Sequence, residues 1–344
     1  MFTQGTASHL LQAAVATSVS LRSYLLVQTS PVAAGTCAQV SLKFPDIGLN
    51  HSWLLTELPS LADTERKAPT GLDSDIIKAI DPVVERSVKK EFQHAAVSAF
   101  LYLYVSLARP SPHQNISFLL KSTIPIGSGL GSSASISVCL AAALLLLAKY
   151  IPTPTSSNAE VLKKINDWAY LGEKCIHGNP SGVDNTVATF GGGVIFRKER
   201  RERRLSNGTF TPSLPAEKYI INIPTLQFLL TDTNHPRRTA LLVAHVADLL
   251  TNLPGVTPHI LTAIDGIAAE ARRLLESNEN ITERLGELIS INQGLLNSVG
   301  VGHEKLDTVA RLTKEIGWTK LTGAGGGGCA LTLLKEGTFV PCEM

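Results

Sequence analysis

The sequence predicts an α+β fold, and three observations predict it. Strand-like runs recur up to residue 231, helical spacing fills residues 239–316, and the chain closes with a strand, a glycine loop and a strand. At 344 residues the chain is long enough for two domains or one large one. The change of pattern puts a boundary near residue 222, giving 1–222 and 223–344 as the expected domains.

Each element has its own reason. Residues 13–28, AAVATSVSLRSYLLVQ, combine small and β-branched residues with alternation and read as one strand ending near Val27. Lys89 to Leu107 has helical spacing and is closed by Arg109-Pro110. Ile116 to Leu120 reads as a strand. Ser135 to Tyr150 is almost wholly apolar, as a helix buried between layers would be. A Pro/Thr/Ser loop at 152–157 precedes a helix over Glu160 to Ile176, which His177-Gly178-Asn179-Pro180 stops. Val194 to Phe196 follows as a strand, and Ile220 to Thr231 carries two more around Pro224. Three or four helices occupy 239–316, and Ala330 to Leu334 is the closing strand.

Composition narrows the class. Apolar residues are 44% and charged residues 17%, an ordinary globular balance, and a net charge of +2 offers no general field for nucleic acid or membrane. The run RKERRERR at 197–204 contains two glutamates and reads as a solvated hairpin tip. The longest apolar run, Val138 to Ala148, is too short to span a bilayer. Five scattered cysteines without a C-x-x-C pair point to a reducing compartment. No Lys or Arg precedes Arg22, so a secretory leader is not expected, and the sequons at Asn115, Asn207 and Asn280 read as chance. A cytoplasmic location is the expectation.

The informative stretch is IPIGSGLGSSASISV, residues 124–138. A helix start presents unpaired N–H groups and the positive end of the dipole, and glycines ahead of it let a phosphate approach the main chain. Serines there can cap the helix, donate to phosphate oxygens, or ligate a bridging metal. The segment is not a P-loop, because no Lys occurs between residue 124 and Lys149, and its glycine spacing is not the dinucleotide fingerprint. The H-R-D and D-F-G of protein kinases are absent. A glycine turn with capping serines is the plainer alternative. Further on, Glu173 ends one helix and Asp184 follows a Gly-Asn-Pro-Ser-Gly turn. Two carboxylates across a tight turn can converge, one holding a divalent metal and the other accepting a hydroxyl proton.

PIGSGLGSSAS resembles the P-x-x-x-G-L-G-S-S-A motif of the small-molecule kinases that include galactokinase, homoserine kinase, mevalonate kinase and phosphomevalonate kinase. GEKCIHGNPSGVDNTVATFGGG (172–193) is similar to the mevalonate kinase form of that family. LLTDTNHPRRTALLVAHV (229–246), NQGLLNSVGVGHEKLD (292–307) and KLTGAGGGGCALTLL (320–334) extend the resemblance over about residues 13–335. It implies a two-domain small-molecule kinase fold, with an N-terminal nucleotide-binding domain and a C-terminal ferredoxin-like sandwich. It also implies ATP and Mg²⁺ as cofactors and mevalonate as substrate. Gly127, Ser128, Gly129, Leu130, Gly131, Ser132, Ser133 and Ala134 would embrace the ATP phosphates, with Gly325 and Gly326 in a supporting loop. Ser133 and Glu173 would ligate Mg²⁺, and Asp184 would be the base. His177, Arg237 and Thr239 would shape the substrate side. A homodimer, and isoprenoid diphosphates as inhibitors, are further implications.

Two departures stand beside the resemblance. The family's opening P-G-K and G-E-H-x-V-V are not found before AVATSVSLR, and the first Lys is Lys43. After LTLLKEGTFV the sequence reads PCEM, where the family has a further helix and strands. A nucleotide-binding relic without turnover is therefore the alternative expectation.

Overall fold

The computed structural model describes residues 13–59, 71–108, 111–153, 158–178, 180–197, 217–221, 223–235, 239–277 and 280–338. In chain order these form β1 (Ala13–Thr17), β2 (Ser23–Pro31), β3 (Gln39–Phe44), β4 (Leu49–Leu54), α1 (Ser74–Ser87) and α2 (Glu91–Leu107). There follow β5 (Gln114–Ser122), α3 (Ser132–Leu147), α4 (Ala159–His177), α5 (Val183–Phe190), β6 (Gly193–Arg197), β7 (Glu217–Ile221) and β8 (Phe228–Asp232). The last part holds α6 (Thr239–Asn252), α7 (Thr257–Leu275), α8 (Thr282–Ser298), α9 (Glu304–Leu312), β9 (Gly317–Leu321) and β10 (Cys329–Leu334). The α+β class expected from the sequence is what the chain adopts.

Two compact units result, and they are not consecutive in sequence. Unit one comprises Met1–Ser18, Ile126–Leu130 and Gly191–Met344; unit two comprises Val19–Pro125 and Gly131–Phe190. The boundary expected near residue 222 falls inside unit one, at a position outside the described residues.

Unit two is a four-stranded sheet, order β2-β5-β3-β4, with helices on one face. β3 and β5 run parallel and the other pairs are antiparallel. Side chains alternate across the pleat. Val40, Leu42, Phe44, Trp53, Phe118 and Leu120 are buried against α1–α4, while Tyr24, Leu26 and Leu119 are exposed on the other face. Trp53 stacks on Phe100 with ring centroids 5.8 Å apart, and Phe100 meets Phe118 edge to face at 5.1 Å. Each fully buried Leu or Phe here stabilises the unit by about 1.5–3 kcal/mol. α1 begins where the Asp73 side chain accepts from the N–H groups of Asp75 and Ile76.

Unit one has two three-stranded sheets, β1-β6-β7 and β8-β10-β9, all antiparallel. β10, CALTLL, is central in its sheet and buried along its whole length. One core joins Val15 and Ile195 to α7 and α8 and Leu333; a second joins Val246, Leu261, Leu306, Leu321 and Ala330.

The sequence expectations need several corrections. Residues 13–28 are two strands in different sheets rather than one. Ser18 N–H donates to Gly192 O at 2.8 Å, and from Arg22 onward the main chain pairs with Thr123 instead. The buried apolar helix starts at Ser132, not Ser135, because Gly131 takes the left-handed N-cap position (φ 75°). The β3–β4 pair, α1 and α5 were not expected. Four helices fill 239–316. The basic run beyond Arg197 and part of the 152–157 loop lie outside the described residues. Among the described residues no helix is long and apolar enough to cross a membrane.

Candidate active site

Five serines lie in residues 124–138, and the structure gives them different tasks. Ser135 Oγ meets Ser132 O at 2.9 Å and Ser23 Oγ at 2.7 Å, tying α3 to β2. Ser137 is fully buried between helices. Ser128 belongs to unit one. Ser132 and Ser133 remain at the start of α3, which no side chain caps. Ser132 Oγ is buried and has no hydrogen-bond partner. A helix start without a cap, with an orphaned hydroxyl in its first turn, is suited to an anion.

Ser133 faces α4. Its Oγ lies 3.3 Å from Glu173 Oε1 and 3.0 Å from His177 Nε2. Glu173 and His177 are four residues apart, so α4 presents both on one face. Glu173 is 3% exposed, a buried carboxylate that needs partners. Burial, and secondarily the Glu173 carboxylate, raise the Tyr170 phenol above its usual range. Sequence reasoning had not linked His177 to Ser133, although the i, i+4 spacing with Glu173 contained the signal.

Asp184 stands in the first turn of α5. Asn185 Nδ2 donates to Asn166 Oδ1 at 2.6 Å, and Thr186 Oγ1 donates to Gly182 O at 2.7 Å, fixing that turn on α4. A Cβ placed on Gly131 would sit 3.5 Å from Asp184 Cβ. The half-buried Asp184 is therefore beside the N-cap of α3. Unit two thus brings together Gly131, Ser132, Ser133, Glu173, His177 and Asp184.

Unit one carries the other glycine segments. The loop 322–328 joins β9 to β10. Thr322 Oγ1 donates to Cys329 O at 2.7 Å and lies 3.4 Å from Ser128 O, so the second loop touches the first. Gly326 N–H donates to Val301 O at 2.9 Å and Gly328 N–H to His235 O at 3.0 Å. His235 in turn stacks on His303 at 4.1 Å. The segment 292–307, which had no assigned part in the sequence reading, braces this loop. Gln293 Oε1 accepts from Leu321 N–H at 2.8 Å, and its amide donates to Asn297 Oδ1 at 3.0 Å. Arg237 and the side chain of Thr239 lie outside the described residues.

The donor set at Ser133 fits magnesium. Mg²⁺ prefers oxygen ligands and takes one or two carboxylates plus substrate phosphates rather than a full protein cage. Among the described residues no group of three His, Cys, Asp or Glu could form such a cage. Ser133 Oγ and the Glu173 carboxylate, 3.3 Å apart, would supply the oxygen pair.

Comparison with known proteins bears on the family. The family model for the GHMP kinases N terminal domain matches residues 94–193, and that for GHMP kinases C terminal matches residues 274–338. Mevalonate kinase erg12 of Aspergillus fumigatus is 44% identical over 94% of this chain, which spans 62% of that protein's length. Mevalonate kinase of Homo sapiens is 39% identical over 95% of the chain, which spans 82% of it. Among solved structures, the Methanococcus jannaschii mevalonate kinase superposes with TM-score 0.70 at 22% identity, covering 97% of this chain and 88% of that one. The L. major mevalonate kinase, solved with R-mevalonate, gives 0.67 at 20% identity, covering 98% and 85%. At those identities the structures speak for the fold, while the sequence relatives speak for descent. The chain belongs to the mevalonate kinase family of the GHMP kinases.

Proposed function

We propose that this chain transfers the γ-phosphoryl group of ATP to the primary hydroxyl of mevalonate, releasing ADP and 5-phosphomevalonate. The observation that carries this reading is the arrangement at the α3 start: Ser133 bonded to Glu173, with Asp184 beside the N-cap. The hydroxyl oxygen forms the new bond to γ-phosphorus as the bond to the bridging oxygen of ADP breaks. The hydroxyl proton passes to the Asp184 carboxylate. Main-chain N–H groups at the first turn of α3 and in Gly127–Leu130 would receive phosphate oxygens, with Gly325 and Gly326 holding the first loop in place. Ser133 and Glu173 would hold Mg²⁺, which when bound neutralises phosphate charge. His177, Arg237 and Thr239 would serve the substrate side, and His177 also orients the Ser133 hydroxyl. The same reading gives the product to isoprenoid and sterol synthesis in the cytoplasm, makes the protein a homodimer, and makes isoprenoid diphosphates its inhibitors.

Positioning and charge neutralisation supply most of such a transfer, and a placed base adds about 10²–10⁴-fold. Asp184→Asn should lower mevalonate-dependent ADP release by about that factor while leaving ADP binding intact. Equal turnover in parent and variant would remove Asp184 from the mechanism. Nucleotide binding without any mevalonate-dependent turnover would support the relic instead, a reading the family relationship does not favour.

A further inference from the structure

Alanine is preferred to glycine inside a helix, yet α4 carries Gly172 directly before Glu173. The surroundings supply a reason. A Cβ built on Gly172 would lie 3.0 Å from Ser137 Oγ, 3.1 Å from Ser137 Cβ and 3.1 Å from Leu103 Cδ1. These distances are tighter than ordinary carbon contact, so α3, α2 and α4 meet here with no space for a methyl group. Leu103 is the end of a flexible side chain and can turn aside. Ser137 Cβ is fixed to the α3 backbone and cannot. Ser137 is 0% exposed, and its Oγ has no hydrogen-bond partner, so its small size is what the contact uses.

Ser137 lies one helical turn beyond Ser133 on α3, and Gly172 precedes Glu173 on α4. The contact between Ser137 and Gly172 is therefore the neighbour, one turn along, of the pair Ser133–Glu173. That pair is at 3.3 Å, near the outer limit of a hydrogen bond. A shift of a few tenths of an ångström between the helices would end it. We infer that Gly172 is a positioning residue: its missing side chain sets the α3–α4 spacing that lets Ser133 and Glu173 act on one cation. This rests on the proposed role of that pair and goes beyond it, because Gly172 touches neither substrate nor metal in that role.

The probe is Mn²⁺ added with ADP to the full chain, with free Mn²⁺ followed by electron paramagnetic resonance. Gly172→Ala should weaken Mn²⁺ binding about tenfold, as outer-shell changes do, and leave the KM for mevalonate within about twofold. Ser137→Gly in the same chain removes both close atoms and should restore the binding; Ser137→Gly alone should bind as the parent does. Parental Mn²⁺ affinity in Gly172→Ala, or a loss that Ser137→Gly does not restore, overturns the inference. Ser133→Ala separates the two levels. Unchanged Mn²⁺ binding there removes the metal role itself, whereas loss there with parental binding in Gly172→Ala removes only the positioning role. If Gly172→Ala does not fold, Ser137→Thr enlarges the same contact by one methyl from the other helix and takes its place with the same outcomes.

Discussion

The two glycine-rich loops look alike as text and differ in what their glycines do. In the first, Gly127 has φ 75° and a Cβ there would meet no atom within 4 Å. In the second, a Cβ on Gly325 would fall 2.0 Å from Val301 O, on Gly326 2.8 Å from Leu242 Cδ1, and on Gly327 2.6 Å from His235 O. The first loop is open at Gly127, as the proposed phosphate site requires. The second is bare because the protein's own main chain already comes close. Backbone freedom serves packing in the second loop and, on the proposed function, binding in the first, and only neighbours distinguish them.

The sharpest way to break that contrast is Gly325→Ala. Overpacking against a carbonyl adds to the strain of a left-handed alanine, for about 2–5 kcal/mol in all. With total stability of about 5–15 kcal/mol, the variant should show a large fall in its urea midpoint. A midpoint equal to the parent's would mean that the loop can open freely, and the contrast would be lost.

A second test lies in the strand that enters the packed loop. Lys320 is fully buried, and burial pushes its ammonium from the ordinary 10.5 down to about 7, while Nζ lies 2.7 Å from Leu321 O. Between those values the unfolded chain holds a proton that the folded chain lacks. Stability should therefore rise with pH from about 7 toward 10, by at most about 1.4 kcal/mol per unit, and flatten below 7. In Lys320→Met this contribution disappears, so the variant's advantage is greatest near neutral pH and narrows as pH rises. Parallel pH profiles from chemical denaturation would place Lys320 in contact with water.

The smallest structural effect belongs to the open loop. Gly127→Ala should cost only about 1 kcal/mol, from backbone conformation alone. Its ADP affinity should fall about tenfold, because the methyl occupies space kept for a phosphate. Loss of fold without loss of affinity in the survivors would reverse the assignment of the two loops.

Much of the site could be read from the chain because its chemistry is local. Ser132 and Ser133 open one helix, and Glu173 and Asp184 flank one turn between two helices, so these residues stand close in sequence, while the roles expected of them came from the resemblance. Gly172 shows the limit. Nothing in GEKC marks the glycine as a spacer, since Leu103 and Ser137 come from two other helices. The same limit explains residues 13–28, whose alternation runs on unbroken while the chain changes sheets. The partners that decide the break, Gly192 and Thr123, are far along the sequence. The helix α5 escaped because eight residues after a Gly-Asn-Pro-Ser-Gly turn give too short a period to register.

The pairing of β1 with β6, Thr17 opposite Gly193, also has a consequence for biosynthesis. As the ribosome delivers the chain, β1 emerges before β6, its one partner among the described strands. Nearly all of unit two is complete by then, and its sheet closes on strands that are already present. Unit two can thus assemble while translation continues, whereas unit one must keep its leading strand unpaired throughout that interval. An exposed apolar strand waiting in this way is a natural client for a nascent-chain chaperone, and slowing synthesis between residues 130 and 190 would lengthen its exposure.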